Sequence, residues 1–328
     1  MDPISCCIVG YGGIAAFHAE ALKQIESIRC HSIVGRRLEP AEAFRDQMGF
    51  EKATTDYDEC LNDPSVDVVI IASPSELHYD QTARAIEAGK DVLVEIPIAM
   101  SQKGARDLSG MAQKSGRKIM IAHTRRFDPA GMFVKDFLAS DRAGRVILHQ
   151  HYSYWLRHEN VGWTGYQRSW TDDVLFHHGC HLVDFSLWTI DAPVRRVRGE
   201  LSPLHPDIGT SMDVSLIIRY ANEAIATISL SYNAHQSAIA NIFICENGTL
   251  SHTGKQVTFN GETVFETELN AEGGVLIQNR EFFQAIREDR QPSCNADDGL
   301  RALTVLQQVY DQMTTLENQG KYQRKWEL

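Results

Sequence analysis

The stretch GYGGIA at residues 10–15 constrains the fold more than any other part of this 328-residue chain. The apolar run ISCCIV precedes it at residues 4–9, and the helical pattern AAFHAEALKQI continues from it. A strand, a glycine turn and a helix in this order predict a dinucleotide-binding fingerprint. Gly10 would make the tight turn, and Gly12 would let a pyrophosphate approach the backbone at a helix N-terminus. Gly13 and Ile14 follow as further cofactor-binding candidates.

Further strands and helices alternate after the glycine turn. Apolar runs at 30–35, 67–73, 91–97 and 118–123 are separated by helical patterns. This alternation predicts an α/β fold whose N-terminal Rossmann domain is a doubly wound parallel sheet, with ligands at the carboxyl ends of its strands. We place this nucleotide-binding domain over residues 1–124.

Composition excludes several classes of partner. The formal net charge of −11 argues against nucleic acid and against an anionic membrane, because both need a basic surface. No stretch approaches the roughly 20 apolar residues that span a bilayer, and no secretory signal is visible. The seven cysteines show no CxxC pair. These features predict a cytoplasmic protein with reduced cysteines.

The residues after the second predicted strand bear on the choice of cofactor. An NAD-binding protein usually places an acid there for the adenosine ribose, but this chain has Gly35, Arg36 and Arg37. Two guanidiniums suit a 2′-phosphate, so NADP is favoured. Alternatively the two arginines are exposed residues that open the next helix, in which case NAD stays possible.

Two further core strands end in residues that we expect to face the cofactor cleft. These candidates lie in ASPSELH and VEIP, and they are Ser73, Pro74, His78, Glu95 and Pro97. The prolines directly follow the strands and would shape the backbone around a nicotinamide. For Pro74 the alternative is an ordinary proline that ends a strand.

The second half of the chain predicts a different architecture. The runs RVILHQHYSYWL, DVSLIIRY, AIATISLSY and AIANIFIC alternate between apolar and polar residues. Such alternation indicates an open, largely antiparallel sheet, here within an α+β domain over residues 125–298. The flat face of this sheet is a candidate surface for a homodimer or a higher homo-oligomer.

Three histidines and an aspartate lie close together in FHHGCHLVDF, at residues 176–185. We predict a helix from about 172 to 190, which would bring His177 and His181 onto one face. His178 would point away and is interpreted as structural, and Asp184 would orient an imidazole or cap a polar patch. Histidine titrates near neutral pH, so it suits the role of a general base.

A metal site is the alternative interpretation of these histidines. It would need a third ligand, such as His123 or His151, from another element. Nothing in the sequence requires a metal, and we predict none. A further alternative is that the imidazoles are satisfied within a helix packing surface.

Five motifs in this order resemble the glucose–fructose oxidoreductase and inositol dehydrogenase family. They are GYGGIA, SPSELH, AGKDVLVEIP, HTRRFDP and HHGCHLVDF. The resemblance implies a nicotinamide-dependent oxidoreductase in which His181 is the catalytic base and His177 its helper. It also implies that a C-terminal helix, at about 299–328, packs on the nucleotide domain. Substrate-binding residues would lie in neighbouring segments, namely Arg125, Arg126, Arg168 and Trp170. The alternative for each arginine taken singly is that it is a surface salt-bridge partner.

Two departures from the family pattern narrow the expected substrate. Ile96 replaces the usual lysine of Glu-Lys-Pro, and His177 stands where many members have aspartate. Both resemble a branch that uses NADP to oxidise a carboxylated semialdehyde, in its cyclic hemiacetal form, to a lactone. A sugar or cyclitol dehydrogenase is the alternative within the family. A nicotinamide-binding regulator without turnover is the alternative of another class, which the missing lysine favours and His181 opposes.

Overall fold

The structure, a computed structural model, describes residues 2–161, 169–170, 173–268 and 271–313. The chain divides into two compact units, and it passes from the first to the second after Thr124. The described residues of the first unit are 2–124, 161 and 272–300, and those of the second are 125–160, 169–170, 173–268, 271 and 301–313. No described helix combines the length and the apolar character that crossing a bilayer requires.

The first unit contains a six-stranded sheet. Its strands are β1 (Ile4–Val9), β2 (Ile28–Val34), β3 (Lys52–Thr54), β4 (Val68–Ile71), β5 (Asp91–Val94) and β6 (Ile119–Ile121). The intervening helices are α1 (Gly13–Leu22), α2 (Leu38–Met48), α3 (Tyr57–Asn62), α4 (His78–Glu87) and α5 (Gln102–Ser115). The strand order is β3-β2-β1-β4-β5-β6 and every pair is parallel.

This sheet confirms the predicted doubly wound domain. The strand order reverses between β1 and β4, so the carboxyl ends of these two strands flank the position where such sheets bind ligands. Every residue of β4 is fully buried, as expected for a central parallel strand covered by helices on both faces.

The second unit contains an eight-stranded sheet. Its elements begin with α6 (Pro129–Ala139), β7 (Val146–Leu156), α7 (His178–Ile190), β8 (Val194–Leu201), β9 (Asp213–Tyr220) and β10 (Ile225–Ser231). They continue with β11 (Asn233–Cys245), β12 (Gly248–Thr253), β13 (Gln256–Phe259) and β14 (Glu262–Glu266). The order is β14-β13-β12-β11-β7-β10-β9-β8, with only the β7–β10 pair parallel among these strands. The predicted, largely antiparallel sheet is therefore confirmed.

Two C-terminal helices divide between the units differently from our expectation. The helix α8 (Ala271–Arg287) and the start of α9 (Ala296–Met313) lie almost entirely in the first unit, whereas α9 belongs to the second unit from Arg301 onward. The expected helix at 299–328 was assigned to the nucleotide domain. In the structure Val309 instead packs against Gly199 of β8, where a Cβ would lie 2.7 Å from its side chain. Residues beyond 313 lie outside the described part of the chain.

Candidate active site

The turn between β1 and α1 has the geometry of a pyrophosphate cradle. Gly10 has φ of +114°, and a Cβ there would lie 2.5 Å from the carbonyl oxygen of Ala72, so only glycine fits. Gly12 is the N-cap of α1 and makes no side-chain cap, and a Cβ on it would meet open space. Gly13 and Ile14 form the first turn of the helix. The uncapped N–H groups and the open space in front of them fit a dinucleotide phosphate.

The end of β2 contains no acidic side chain. Arg36 and Arg37 are exposed, and Arg37 is the N-cap of α2. At Gly35 a Cβ would lie 2.5 Å from the Tyr11 ring and 3.0 Å from the Ala41 side chain. The ring of Tyr11 thus occupies the space that a side chain at position 35 would need.

His78 joins the ends of β4 and β5 by hydrogen bonds. Its Nδ1 lies 2.8 Å from the Pro97 carbonyl oxygen, and its Nε2 lies 2.9 Å from that of Ser73. The Ser73 hydroxyl donates to Gln81 at 2.5 Å. Because the ring is 1% exposed, His78 positions the backbone of the two strand ends, with Pro74 directly between Ser73 and the following 3₁₀ turn.

Glu95 has a buried partner that the sequence motifs did not indicate. Nε2 of His18, on α1, lies 2.9 Å from Glu95 Oε1, and Nδ1 lies 3.0 Å from Asn279 Oδ1. The Glu95 side chain is 13% exposed, whereas that of His18 is fully buried. The helical pattern placed His18 near the glycine turn, but only the fold brings α8 against it.

The histidine segment of the second unit begins its helix later than predicted. Helix α7 starts at His178, and His177 is its N-cap with φ −82° and ψ −83°. Residues 174–177 form a turn that is held by Asp173, whose Oδ1 accepts from the N–H groups of Leu175 and Phe176. The expected helix start near 172 was therefore wrong, because Asp173 satisfies these N–H groups with its side chain.

His181 lies within α7 and is half-buried, with its Nδ1 atom shielded from solvent. His177 is half-buried as well, and its ring lies edge-on to that of His178 at 4.3 Å between centroids. The two candidate catalytic histidines thus lie one in the helix and one at its cap. We predicted that both histidines lie one turn apart on one face of a regular helix, but only His181 lies within the helix.

His178 is the centre of a polar cluster. Its Nδ1 lies 2.5 Å from the Tyr232 hydroxyl and 3.3 Å from Nη1 of Arg157, and its ring packs edge-on against Trp155. Burial lowers its pKa, as do the nearby charges of His177, Arg157, His181 and Arg125. The sequence indicated a structural role for His178, but it did not single out Arg157 or Tyr232.

Arg126 is paired in a way that the sequence did not predict. Its guanidinium is 4% exposed and binds the carboxylate of Asp184, which is 1% exposed, at two points. Asp184 was expected to orient an imidazole or cap a polar patch, and the structure adds this arginine as a partner of its carboxylate. The guanidinium of Arg126 thus carries its counter-charge within the chain.

The remaining substrate-binding candidates lie in the second unit. Burial lowers the pKa of Arg125, and the nearby carboxylate of Asp128 opposes this effect. The Trp170 ring is half-buried, 6.1 Å from the ring of Tyr232. Arg168 lies outside the described residues.

The metal alternative depended on converging ligands. Within the described ranges, no group of three or more His, Cys, Asp or Glu side chains is arranged to hold a metal ion. Of the two proposed third ligands, His151 is buried in the second unit, and burial lowers its pKa well below the usual range. His123 is also buried, at the end of β6 in the first unit.

A doubly wound sheet with a glycine cradle at its strand reversal defines a dinucleotide-binding protein, and comparison with known proteins narrows the class. Residues 4–123 match the family model of GFO_IDH_MocA, described as an oxidoreductase family with an NAD-binding Rossmann fold. Residues 129–264 match the model of bacterial oxidoreductases, C-terminal. The chain belongs to this oxidoreductase family.

Individual relatives have several different substrates. The chain is 33% identical to the 4-carboxy-2-hydroxymuconate-6-semialdehyde dehydrogenase of Sphingobium sp. (strain NBRC 103272 / SYK-6), over 95% of this chain and 99% of the relative. It is 27% identical to the inositol 2-dehydrogenase of Acidothermus cellulolyticus, over 76% and 72%. A structure of levoglucosan dehydrogenase in complex with NADH and levoglucosan has the same fold, with a TM-score of 0.86 at 19% identity over 94% and 97%.

Proposed function

We propose that this chain is an NADP-dependent dehydrogenase that oxidises a carboxylated semialdehyde, in its cyclic hemiacetal form, to a lactone. The reaction of 4-carboxy-2-hydroxymuconate-6-semialdehyde to 2-pyrone-4,6-dicarboxylate is the proposed example. The observation that carries the proposal is the 33% identity to a dehydrogenase of that semialdehyde, which extends over nearly the whole of both chains.

Two features of the first unit support NADP as the cofactor. The exposed guanidiniums of Arg36 and Arg37 follow β2, where a 2′-phosphate would need cations. No acid is present at Gly35 to repel that phosphate or to bind a free 2′-hydroxyl. The Gly10–Gly12 cradle would hold the pyrophosphate through backbone N–H groups.

One feature of this unit opposes a sugar-type site. Ile96 is 4% exposed and apolar, so it cannot donate a proton or a hydrogen bond to a substrate hydroxyl. Proton handling then falls to the histidines of the second unit. A neutral polyol would also gain little from the positive charge of Arg125, whereas a carboxylate would gain a strong hydrogen bond.

A bound nicotinamide dinucleotide supplies the acceptor for the hydride that leaves the hemiacetal carbon. His181 takes the hydroxyl proton as that carbon is oxidised, since a neutral imidazole has a basicity suited to this step. His177, at the cap of α7, binds the substrate oxygen or relays the proton. His78 holds the two strand ends in register, and His18 fixes the Glu95 carboxylate from the side away from solvent.

The experiment that tests the proposal is a substrate and cofactor comparison with the purified chain. We expect 4-carboxy-2-hydroxymuconate-6-semialdehyde to reduce NADP with a kcat/KM at least about 100-fold above that for inositols and aldoses. A ratio of this size requires a difference of less than about 3 kcal/mol in transition-state stabilisation between the two substrates. We also expect the kcat/KM for NADP to exceed the kcat/KM for NAD. Turnover of a cyclitol or sugar alone would support the alternative that inositol 2-dehydrogenase represents, and a marked preference for NAD would contradict the cofactor assignment.

A further inference from the structure

We propose that Arg157 is the receptor for a carboxylate of the substrate, in a site formed with His178, Tyr232 and Trp170 of the second unit. This inference rests on the proposed function, because it names the residue that would recognise the anionic group. The ligand class is a planar organic carboxylate.

The backbone of Arg157 is anchored at the end of a central strand. It directly follows β7, and its N–H donates to the carbonyl oxygen of Tyr232 at 2.8 Å. Tyr232 directly follows β10, the parallel neighbour of β7. The guanidinium therefore extends from backbone that is hydrogen-bonded at the end of a central strand, which favours a preorganised binding group.

Uncharged groups hold the guanidinium in place. Its carbon atom lies 5.7 Å from the ring centre of Trp170 and 5.4 Å from that of Tyr232, both within cation–π range. Nη2 donates to Asn160 Oδ1 at 2.6 Å, and Asn160, which is 1% exposed, donates in turn to the Ser169 carbonyl oxygen. Nη1 donates to His178 Nδ1.

The tautomer of His178 follows from these contacts. A guanidinium can only donate, so Nδ1 of His178 must offer its lone pair, and the ring proton of the neutral imidazole lies on Nε2. The Tyr232 hydroxyl, 2.5 Å from the same Nδ1, donates as well, so the two donors share the single lone pair of this nitrogen. Among the described residues, none of these contacts involves a carboxylate.

The charge of Arg157 is not balanced within the described chain. Among the described residues, no carboxylate lies within 4.0 Å of this guanidinium. Other arginines of the second unit do have carboxylate partners, namely Arg126 with Asp184, Arg145 with Glu246 and Arg195 with Glu223. A half-buried cation without a counter-charge is costly, and an anionic ligand would remove that cost.

The described neighbours of His178 include cationic or protonatable side chains. Burial is the main reason that the pKa of His178 is lowered, and His177, Arg157, His181 and Arg125 lower it further. Arg157 uses only two of its five N–H donors in the contacts above, so donors remain for a two-point bond to a carboxylate. A sugar hydroxyl could accept one of these bonds but would leave the positive charge unbalanced.

The test uses isophthalate, a planar aromatic dicarboxylate, as a probe of the full chain in the presence of saturating NADP. Isothermal titration calorimetry measures its Kd, and steady-state assays measure kcat and KM for 4-carboxy-2-hydroxymuconate-6-semialdehyde. We expect Arg157→Ala to raise the Kd and the KM by about 10–100-fold while kcat changes less, because charge-assisted hydrogen bonds to a ground-state group are lost. The Kd and the KM of Arg157→Lys should lie between those of the wild-type chain and those of Arg157→Ala, since lysine keeps the charge but not the two-point geometry.

The matched control is Arg195→Ala, which removes a guanidinium of the same unit that already pairs with Glu223 and should leave both constants unchanged. A folded Arg157→Ala or Arg157→Lys variant with the wild-type Kd for isophthalate would overturn the proposal, as would a wild-type chain that binds no isophthalate at millimolar concentration. If isophthalate binding depends on Arg157 but the semialdehyde is not turned over, the carboxylate site stands and the proposed reaction fails. If the semialdehyde is turned over equally well by both variants, the reaction stands and the Arg157 proposal fails.

Discussion

Arg126 and Asp184 form a buried two-point ion pair, with Nε 2.8 Å from Oδ2 and Nη2 2.6 Å from Oδ1. The pair joins the short 3₁₀ turn Thr124–Arg126 to helix α7, which contains His181. It therefore fixes the position of the helix on which the candidate base lies. Because of this ion pair, a substitution of Arg126 is expected to affect the free energy of unfolding and not only substrate binding.

We predict that Arg126→Ala or Asp184→Ala lowers the free energy of unfolding by about 3–5 kcal/mol, because each substitution removes one member of a buried two-point ion pair. Urea denaturation measures this effect. The double variant should lose less than the sum of the single losses, because the second substitution removes an interaction that the first has already abolished. If Arg126→Ala kept full stability and changed only KM, the guanidinium would bind substrate rather than Asp184.

We predict that His181→Asn lowers kcat by about 10²–10⁴-fold with a small change in cofactor affinity, because a positioned general base is lost. Stopped-flow or steady-state reduction of NADP measures the rate. His235→Asn is the matched control, since His235 is exposed on the second unit and should tolerate the change. Full activity of the His181 variant would remove this residue from the role of base.

We predict that Gly35→Asp does not by itself create a preference for NAD. The new Cβ would lie 2.5 Å from the Tyr11 ring, so the substitution should cost about 1–3 kcal/mol of stability through overpacking. Tyr11→Ala in the same chain opens this space, and the double variant should regain stability and shift the NAD-to-NADP ratio of kcat/KM toward NAD. Thermal denaturation and kinetics with both cofactors test this, and an equally stable Gly35→Asp single variant would contradict it.

We predict that the open face of the second sheet forms a homodimer contact. Ile217 of β9 and Ile244 of β11 are 50% and 41% exposed, and Tyr152 and Tyr154 of β7 stack between these strands. Ile217→Lys combined with Ile244→Lys should convert a dimer to a monomer in analytical ultracentrifugation. Leu38→Lys, at an equally exposed residue of the first unit, should leave the assembly unchanged. A monomeric wild-type chain would disprove the contact.

We predict that the buried imidazole of His149 lowers the free energy of unfolding as the pH becomes acidic. Burial lowers its pKa to about 4, whereas an unfolded histidine titrates near 6.5. Between these values the unfolded chain binds the additional proton, so stability falls as the pH drops from about 6.5 to about 4, by up to about 1.4 kcal/mol per pH unit. His149→Gln should flatten this part of a plot of unfolding free energy against pH, and an unchanged slope would assign the acid sensitivity to other groups.

Local patterns predicted much of the fold because their causes are local. The strand VVII of β4 is entirely apolar, and β7 was expected at 145–156 and observed at Val146–Leu156. Gly10 and Gly12 were recognised because the backbone at a phosphate turn permits few other residues. The start of α7 was predicted too early, since the side-chain cap formed by Asp173 competes with helical periodicity.

The sequence by itself determined the doubly wound nucleotide unit, the antiparallel second sheet and the family, because these follow from periodicity and from motifs of adjacent residues. Only the tertiary structure decided which charges are balanced. Arg126 pairs with Asp184, 58 positions away, whereas Arg157 lies between aromatic rings without a described carboxylate partner. Pairing between distant residues depends on how helices pack on sheets, and no local pattern of the chain encodes it.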